Sequence, residues 1–115
     1  RFWLGVKNFK DADNHIWGHY AIYVSSGFVG ASLFPVELKE TAKYPAPYVF
    51  VDGYNLTAPY LDDVDEINPN QIADRIVTNM VNTSMGLTIT RRIYAFSQQY
   101  HDNYMIKEFT YTNTG

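Results

Sequence analysis

Short runs of β-branched and aromatic residues, separated by clusters of turn-forming residues, recur along the whole chain of 115 residues. The clearest run covers residues 87–97, where Leu87, Ile89 and Ile93 fall on one side of an extended segment. A period of two residues is typical of a strand, whereas a helix needs apolar residues three or four apart. Short strands separated by turns predict a mainly β fold, an antiparallel domain of the β-sandwich type.

The same pattern predicts where the strands lie. Asp52 and Gly53 form a strong turn signal, and residues 10–14 are rich in short polar side chains that favour turns. Residues 53–71 show no regular pattern, and we expect an exposed loop there. Strands are predicted at residues 2–9, 15–25, 33–40, 48–52, 75–82, 87–97 and 104–112.

Residues 69–83 fit two kinds of secondary structure. Ile72, Ile76 and Met80 recur at helical spacing, and Pro69 suits the first position of a helix. The β-branched and turn-type residues that follow are weak helix formers. We therefore expect a strand over 75–82 and keep one short helix near 69–83 as the alternative.

The amino-acid composition excludes or disfavours several classes of function. The chain has no cysteine, which excludes disulfides, zinc ribbons, iron–sulfur clusters and thiol nucleophiles. Its net charge is −3 and its basic residues are scattered, so nucleic-acid binding is disfavoured. Residues 16–36 carry no charged side chain, but their three glycines and Pro35 favour two strands over a membrane span.

No catalytic motif is visible, and we expect that the chain is not an enzyme. Asp11, Asp13 and Asn14 have the oxygen spacing that opens a calcium loop. Ile16 and Ile22 stand where an EF-type loop needs glycine and glutamate. These three residues are therefore weak calcium candidates, with acids of residues 62–66 as further ligands, and no other cofactor is expected.

Aromatic residues make up 17% of the chain and suggest a second kind of site. Exposed aromatic rings can stack on sugar rings, although the same side chains also pack across strands. Four tyrosines near the prolines and the acidic segment are the glycan-stacking candidates: Tyr44, Tyr48, Tyr54 and Tyr60.

The last predicted strand ends in an uncharged stretch, Thr110, Tyr111, Thr112 and Asn113. A strand at the edge of a sheet exposes unpaired backbone groups, which proteins usually cover or protect with charge. We therefore expect this strand to lie inside the sheet, or to be covered by further chain or by a neighbouring subunit. The chain also starts without methionine and stops within this strand-like phrase, so we expect residues 1–115 to be a single β-rich domain from a longer chain.

One set of phrases covers most of the chain: residues 6–9, Trp17, and residues 33–37, 73–75, 81–91, 95–104 and 108–115. These phrases resemble the N-terminal region of large exported bacterial surface proteins that carry a sorting domain for type IX secretion. The resemblance implies a modular, β-rich protein outside the cell or at its surface, and it carries no catalytic residues.

These observations lead to one functional expectation and one alternative. We expect a non-catalytic structural or adhesive module that assembles with other modules of its chain or with neighbouring subunits. The alternative is a carbohydrate-binding module that uses surface tyrosines.

Overall fold

Extended segments form all of the regular secondary structure in the computed structural model, which describes residues 2–24, 32–45, 48–57 and 64–115. The mainly β prediction is therefore confirmed, and no residue within these ranges is helical. Within these ranges nine strands follow one another: β1 Phe2–Lys10, β2 Ile16–Val24, β3 Leu33–Ala42, β4 Tyr48–Val51, β5 Tyr54–Thr57, β6 Glu66–Ile67, β7 Arg75–Thr83, β8 Leu87–Ala95 and β9 Met105–Asn113.

The strands form two hairpins and one larger sheet. β1 pairs antiparallel with β2, and β4 pairs antiparallel with β5. The larger sheet has the order β6-β3-β7-β8-β9, so the three strands predicted in the last third of the chain are neighbours in one sheet. Thr41 lies opposite Glu66 in the short parallel pair of β3 and β6.

Strand β7 decides between the two interpretations of residues 69–83. The chain is extended from Arg75 to Thr83, so the helix alternative is wrong and the strand interpretation is confirmed. β7 pairs with β3 on one side and with β8 on the other, and this pairing stabilises its extended conformation. Its β-branched residues also favour a strand over a helix.

The prediction of an irregular loop over residues 53–71 is wrong in part. Asp52 and Gly53 both have positive φ, 50° and 80°, which is the geometry of a tight two-residue hairpin turn. This turn brings Tyr54 opposite Val51 and starts β5. Further on, the Asp65 N–H donates to the Glu40 carbonyl at 2.9 Å and aligns the first residue of β6 with β3.

A three-residue turn joins β7 to β8. The Gly86 N–H donates to the Thr83 carbonyl at 3.2 Å, and Gly86 has a φ of 73°. A type I turn followed by a left-handed residue has this arrangement, and glycine adopts that conformation at low cost.

The chain divides into two compact units. One comprises Arg1–Val36, Met80–Thr90 and Thr110–Gly115, and the other comprises Glu37–Asn79 and Arg91–Phe109. Among the described residues, the first unit buries Ile22, Thr83 and Ile89, and the second buries Ala42 and Ala73. These described cores are small, and many large apolar side chains are exposed.

Candidate functional site

Strand β9 is the terminal strand of the larger sheet in the part of the chain that the structure describes. All nine of its residues are exposed. It contains the four residues singled out from the sequence as an assembly edge, Thr110, Tyr111, Thr112 and Asn113. Position and exposure together make β9 the candidate surface for a further strand.

Side-chain contacts fix which residues of β8 and β9 share a face. The Arg92 guanidinium lies 3.3 Å from the Glu108 carboxylate, and the hydroxyls of Thr88 and Thr114 lie 3.1 Å apart. The two strands therefore run antiparallel, with even-numbered residues on one face. Because side chains alternate along a strand, Phe109 and its odd-numbered neighbours lie on the other face.

Backbone bonding shows which groups of β9 face its open side. The Thr114 N–H donates to the Gly86 carbonyl at 2.7 Å, so it points towards β8. N–H and C=O directions alternate from one residue to the next in an antiparallel strand. The N–H of Thr112 therefore faces β8, whereas the N–H groups of the odd-numbered residues of β9 point away from β8.

The end of β9 is held against the turn between β7 and β8. The Thr114 hydroxyl also donates to the Gly86 carbonyl, at 3.2 Å. A Cβ atom added to Gly86 would lie only 2.5 Å from the Gly115 Cα. Glycine is thus required at position 86 for two reasons: its positive φ, and the close approach of Gly115.

Asp11 organises the turn of the β1–β2 hairpin. Its Oδ1 accepts hydrogen bonds from the N–H groups of Asp13 at 3.0 Å and His15 at 2.8 Å, and its Oδ2 accepts the indole N–H of Trp17 at 2.9 Å. The bond from Trp17 is the largest cause that lowers the pKa of Asp11 below its ordinary value. Partial desolvation raises this pKa, but the backbone N–H bonds and the nearby His15 lower it further.

Aromatic rings cluster on the same hairpin. Phe9 stacks on Tyr20 with ring centroids 4.9 Å apart, and Trp17 lies 6.0 Å from Tyr20. Plain alternation would place Phe9 and Tyr20 on opposite faces, but Asn8 has a φ of 58° and interrupts the strand geometry. Trp17 remains 42% exposed, with the edge of His15 against it at 4.5 Å.

The sequence does not predict this Asp11–Trp17 arrangement, because it indicates Asp11 as a metal ligand and only tyrosines as glycan candidates. The one local signal is an aspartate that opens a hairpin turn, with a tryptophan early in the returning strand.

A shallow groove of about 420 Å³ lies along the same hairpin. Gly5 and Ala21, opposite each other in the β1–β2 register, contribute small residues to it. Lys7 and His19, two positions further along the same register, are also opposite each other and add polar groups to the lining of the groove.

The three calcium candidates lie in the turn of the β1–β2 hairpin, where they stabilise the turn. Both carboxylate oxygens of Asp11 accept hydrogen bonds from protein groups, and Asn14 has a left-handed backbone with a φ of 64°. Glu66 forms an ion pair with Lys39 at 2.6 Å and raises the pKa of that lysine, while residues 62 and 63 lie outside the described residues. Within the described ranges, no three His, Asp or Glu side chains are grouped to hold a metal ion.

The structure does not gather the four candidate tyrosines into one described platform. Tyr44 is 63% exposed, and the Lys43 ammonium lies 5.9 Å from its ring centroid. Tyr54 is 74% exposed in β5, and Tyr48 lies in β4 opposite Thr57. Residue 60, the fourth candidate, lies outside the described residues.

Among the described residues, no helix has the length and apolar character that a membrane-spanning helix requires. Comparison with family models, curated proteins and solved structures gave no match to this chain.

Proposed function

We propose that this chain is a non-catalytic assembly module of an exported or cell-surface protein. It joins neighbouring modules or subunits by strand addition at the open edge of β9. The observation that carries the proposal is the position of β9, which ends the described sheet order and has all nine residues exposed.

Several features make β9 suitable for adding a strand. Edge strands that avoid association are usually short, or carry proline, a bulge or several charges. β9 has nine residues and no proline, and its charged residues are the adjacent Lys107 and Glu108. Backbone hydrogen bonds along such an edge supply affinity for an extended partner, and side-chain pockets supply specificity.

A proline at position 107 tests the role of the edge. Lys107→Pro removes an N–H that points away from β8 and leaves the N–H of Glu108, which faces β8, in place. Proline is tolerated on that outer side of an edge strand. We expect wild-type protein to associate with rising concentration in sedimentation equilibrium. Each lost edge hydrogen bond contributes about 1 kcal/mol, so association should weaken by roughly fivefold per bond.

Lys107→Ala is the matched control, because it removes the same charge but keeps the backbone donor. We expect it to associate more strongly than Lys107→Pro. Hydrogen exchange gives a second readout: the amide of Lys107 should exchange fast in dilute protein and become protected as concentration rises. Protection of this amide already in dilute protein, or a chain that stays monomeric at millimolar concentration, would contradict the proposal.

Carbohydrate binding is the second candidate function, and the hairpin supports it through Trp17. The bond to Asp11 fixes the orientation of a partly exposed indole, which lowers the entropy lost when a sugar ring stacks on it. Tyr44 and Tyr54 remain candidates because both rings are exposed.

Titration with a panel of soluble polysaccharides, followed by tryptophan fluorescence, tests this second function. Trp17→Phe should abolish the response if the hairpin binds, whereas Trp3→Phe should retain it. A response that is lost instead in Tyr44→Ala or Tyr54→Ala would favour the tyrosine site. No response to any polysaccharide class would exclude this candidate.

A further inference from the structure

We infer that the groove along the β1–β2 hairpin binds an acidic sugar, one that carries a carboxylate on its ring. The sugar ring lies over Gly5 and Ala21, and its carboxylate meets Lys7 and His19. All four residues belong to the first compact unit. This inference rests on the carbohydrate-binding candidate and adds the charge class of the ligand and the place where it binds.

Gly5 has no structural reason to be glycine among the described residues. Its φ is not positive, and the register continues unbroken from Leu4 opposite Ile22 to Val6 opposite Tyr20, so there is no bulge. A Cβ atom added to Gly5 would meet only the Tyr20 carbonyl oxygen, at an ordinary contact distance of 3.9 Å. Glycine weakens the interior of a strand, and it often marks a place where a ligand approaches the backbone closely. We assign that role to Gly5.

The face of the hairpin that carries Gly5 is open to solvent. Side chains alternate along a strand, and Gly5, Lys7, His19 and Ala21 are all exposed, whereas Ile22 on the other face is buried. The two small residues are opposite each other, and so are the two basic ones. The two pairs are about 7 Å apart along the strands, from two residues at roughly 3.3 Å each. One sugar ring with its carboxylate spans that distance.

The size and the lining of the groove fit an amphipathic ligand. Its volume of about 420 Å³ falls within the range of small-molecule sites, about 300–1,000 Å³. Such sites are mostly apolar, with a few polar groups that fix the orientation of the ligand. Here Gly5, Val6 and Ala21 give an apolar surface for the flat face of a sugar, and the basic pair lies at one end.

Charge favours an acidic sugar over a neutral one. Within the part of the chain that the structure describes, the side chains of Lys7 and His19 form no hydrogen bond and no ion pair, whereas Lys39 is paired with Glu66. No acidic residue is among the described residues that line the groove. Hydrogen bonds between an ionised donor and a carboxylate are stronger than those between neutral groups.

Calorimetric titration of the full chain with oligogalacturonate tests the class of ligand. The matched ligand is the fully methyl-esterified oligomer, which keeps the sugar rings and loses the charge. We expect the acid to bind about tenfold more tightly than the ester. The affinity for the acid should fall as sodium chloride is added, because salt screens exposed charges.

Lys7→Met tests the basic pair. It should weaken binding of oligogalacturonate by about tenfold and leave binding of the ester unchanged. Lys10→Met is the matched control, because Lys10 is an exposed lysine of the same hairpin and does not line the groove. Equal losses in the two variants would show attraction to the charge of the whole chain and would overturn the site.

Gly5→Val tests the floor of the groove without a change of charge. The fold has room for the added atoms and valine favours a strand, so the urea midpoint should be kept or raised while binding of oligogalacturonate is lost. Gly18→Val is the control: an added Cβ there meets nothing within 4 Å in the described part of the chain, and Gly18 does not line the groove. Full binding by a folded Gly5→Val variant would overturn the site.

The outcomes separate this inference from the carbohydrate-binding candidate. If the ester or a neutral polysaccharide binds as tightly as the acid, the acidic class is wrong and carbohydrate binding stands. If no polysaccharide binds at all, both fail. Binding to vesicles of phosphatidylserine and phosphatidylcholine, without binding to oligogalacturonate, would also overturn the inference.

Discussion

Asp11 shows how one side chain can set the geometry of a hairpin turn. Its carboxylate accepts bonds from Asp13, His15 and Trp17, and these bonds are stronger when the group is ionised. Since the folded chain holds the pKa of Asp11 below its ordinary value, the charged form is favoured by folding.

The first prediction concerns the pH dependence of this turn. The stabilisation by Asp11 is fully present above the unfolded pKa, about 4, and is lost as pH falls through the lower folded pKa. We expect the Trp17 fluorescence to change over that acidic range. Asp11→Asn keeps the size of the side chain but not its charge. The Trp17 fluorescence signal of this variant should therefore be weaker and independent of pH. A wild-type signal that does not change between pH 5 and pH 2 would contradict this role.

The second prediction concerns Gly86, where two demands on glycine coincide. Gly86→Ala forces alanine into a positive φ, which costs about 1–2 kcal/mol, and adds a clash with Gly115. Urea denaturation should therefore show a loss in the free energy of unfolding that is larger than the cost of the positive φ alone.

Removing Gly115 separates the two demands on Gly86. In a chain that ends at Thr114, Gly86→Ala should cost only the φ penalty, because the three nearest atoms to the added Cβ all belong to Gly115. If Gly86→Ala lowered the free energy of unfolding equally in the full chain and in the chain that ends at Thr114, the contact with Gly115 would not contribute to stability.

At the scale of the strand, burial differs sharply between neighbours in the sheet. Ile89 in β8 is 6% exposed, whereas Ile106 in β9 is 47% exposed. β8 has a strand on each side, and β9 ends the described sheet order.

The third prediction follows from this contrast. Ile89→Ala should lower the free energy of unfolding by about 2–5 kcal/mol, through lost burial and the cavity that remains. Ile106→Ala should cost roughly half as much or less, because about half of that side chain is already in water. Equilibrium urea denaturation at low protein concentration measures both, and similar losses would contradict the burial difference.

Strand positions could largely be predicted from the sequence, whereas strand partners could not. The two-residue period and the turn signals are local, so β1, β2, β3, β8 and β9 were expected close to their observed bounds. β6 has two residues and depends on contacts with β3, such as Lys39 with Glu66, which no local pattern contains. The sheet order likewise depends on long-range pairing, so β9 could be predicted as a strand but not as the end of the sheet.

The candidate hairpin site escaped prediction for a related reason. Asp11 and Trp17 meet only because the turn between them brings the two strands into register, with Phe9 opposite Trp17. The stacking of Phe9 on Tyr20 further depends on the positive φ of Asn8, which alternation does not anticipate.

At the scale of the whole molecule, each of the two units has a small buried core among its described residues. Burial of apolar surface is the main source of folding free energy, and small cores leave little surplus over the entropy of ordering the chain. Strand addition at β9 would add buried surface and backbone hydrogen bonds without any change in sequence. The proposed assembly therefore also bears on the stability of the chain.

The sheet order also has a consequence for the time course of folding. β7, β8 and β9 are consecutive in sequence, whereas the Arg75–Glu40 ion pair that links β7 to β3 closes a separation of 35 residues. Local contacts form fast, and the entropy of closing a long loop must be lost before the distant contact stabilises it. We expect the β7–β8–β9 meander to form first, and β3, followed by β6, to join it in a slower step.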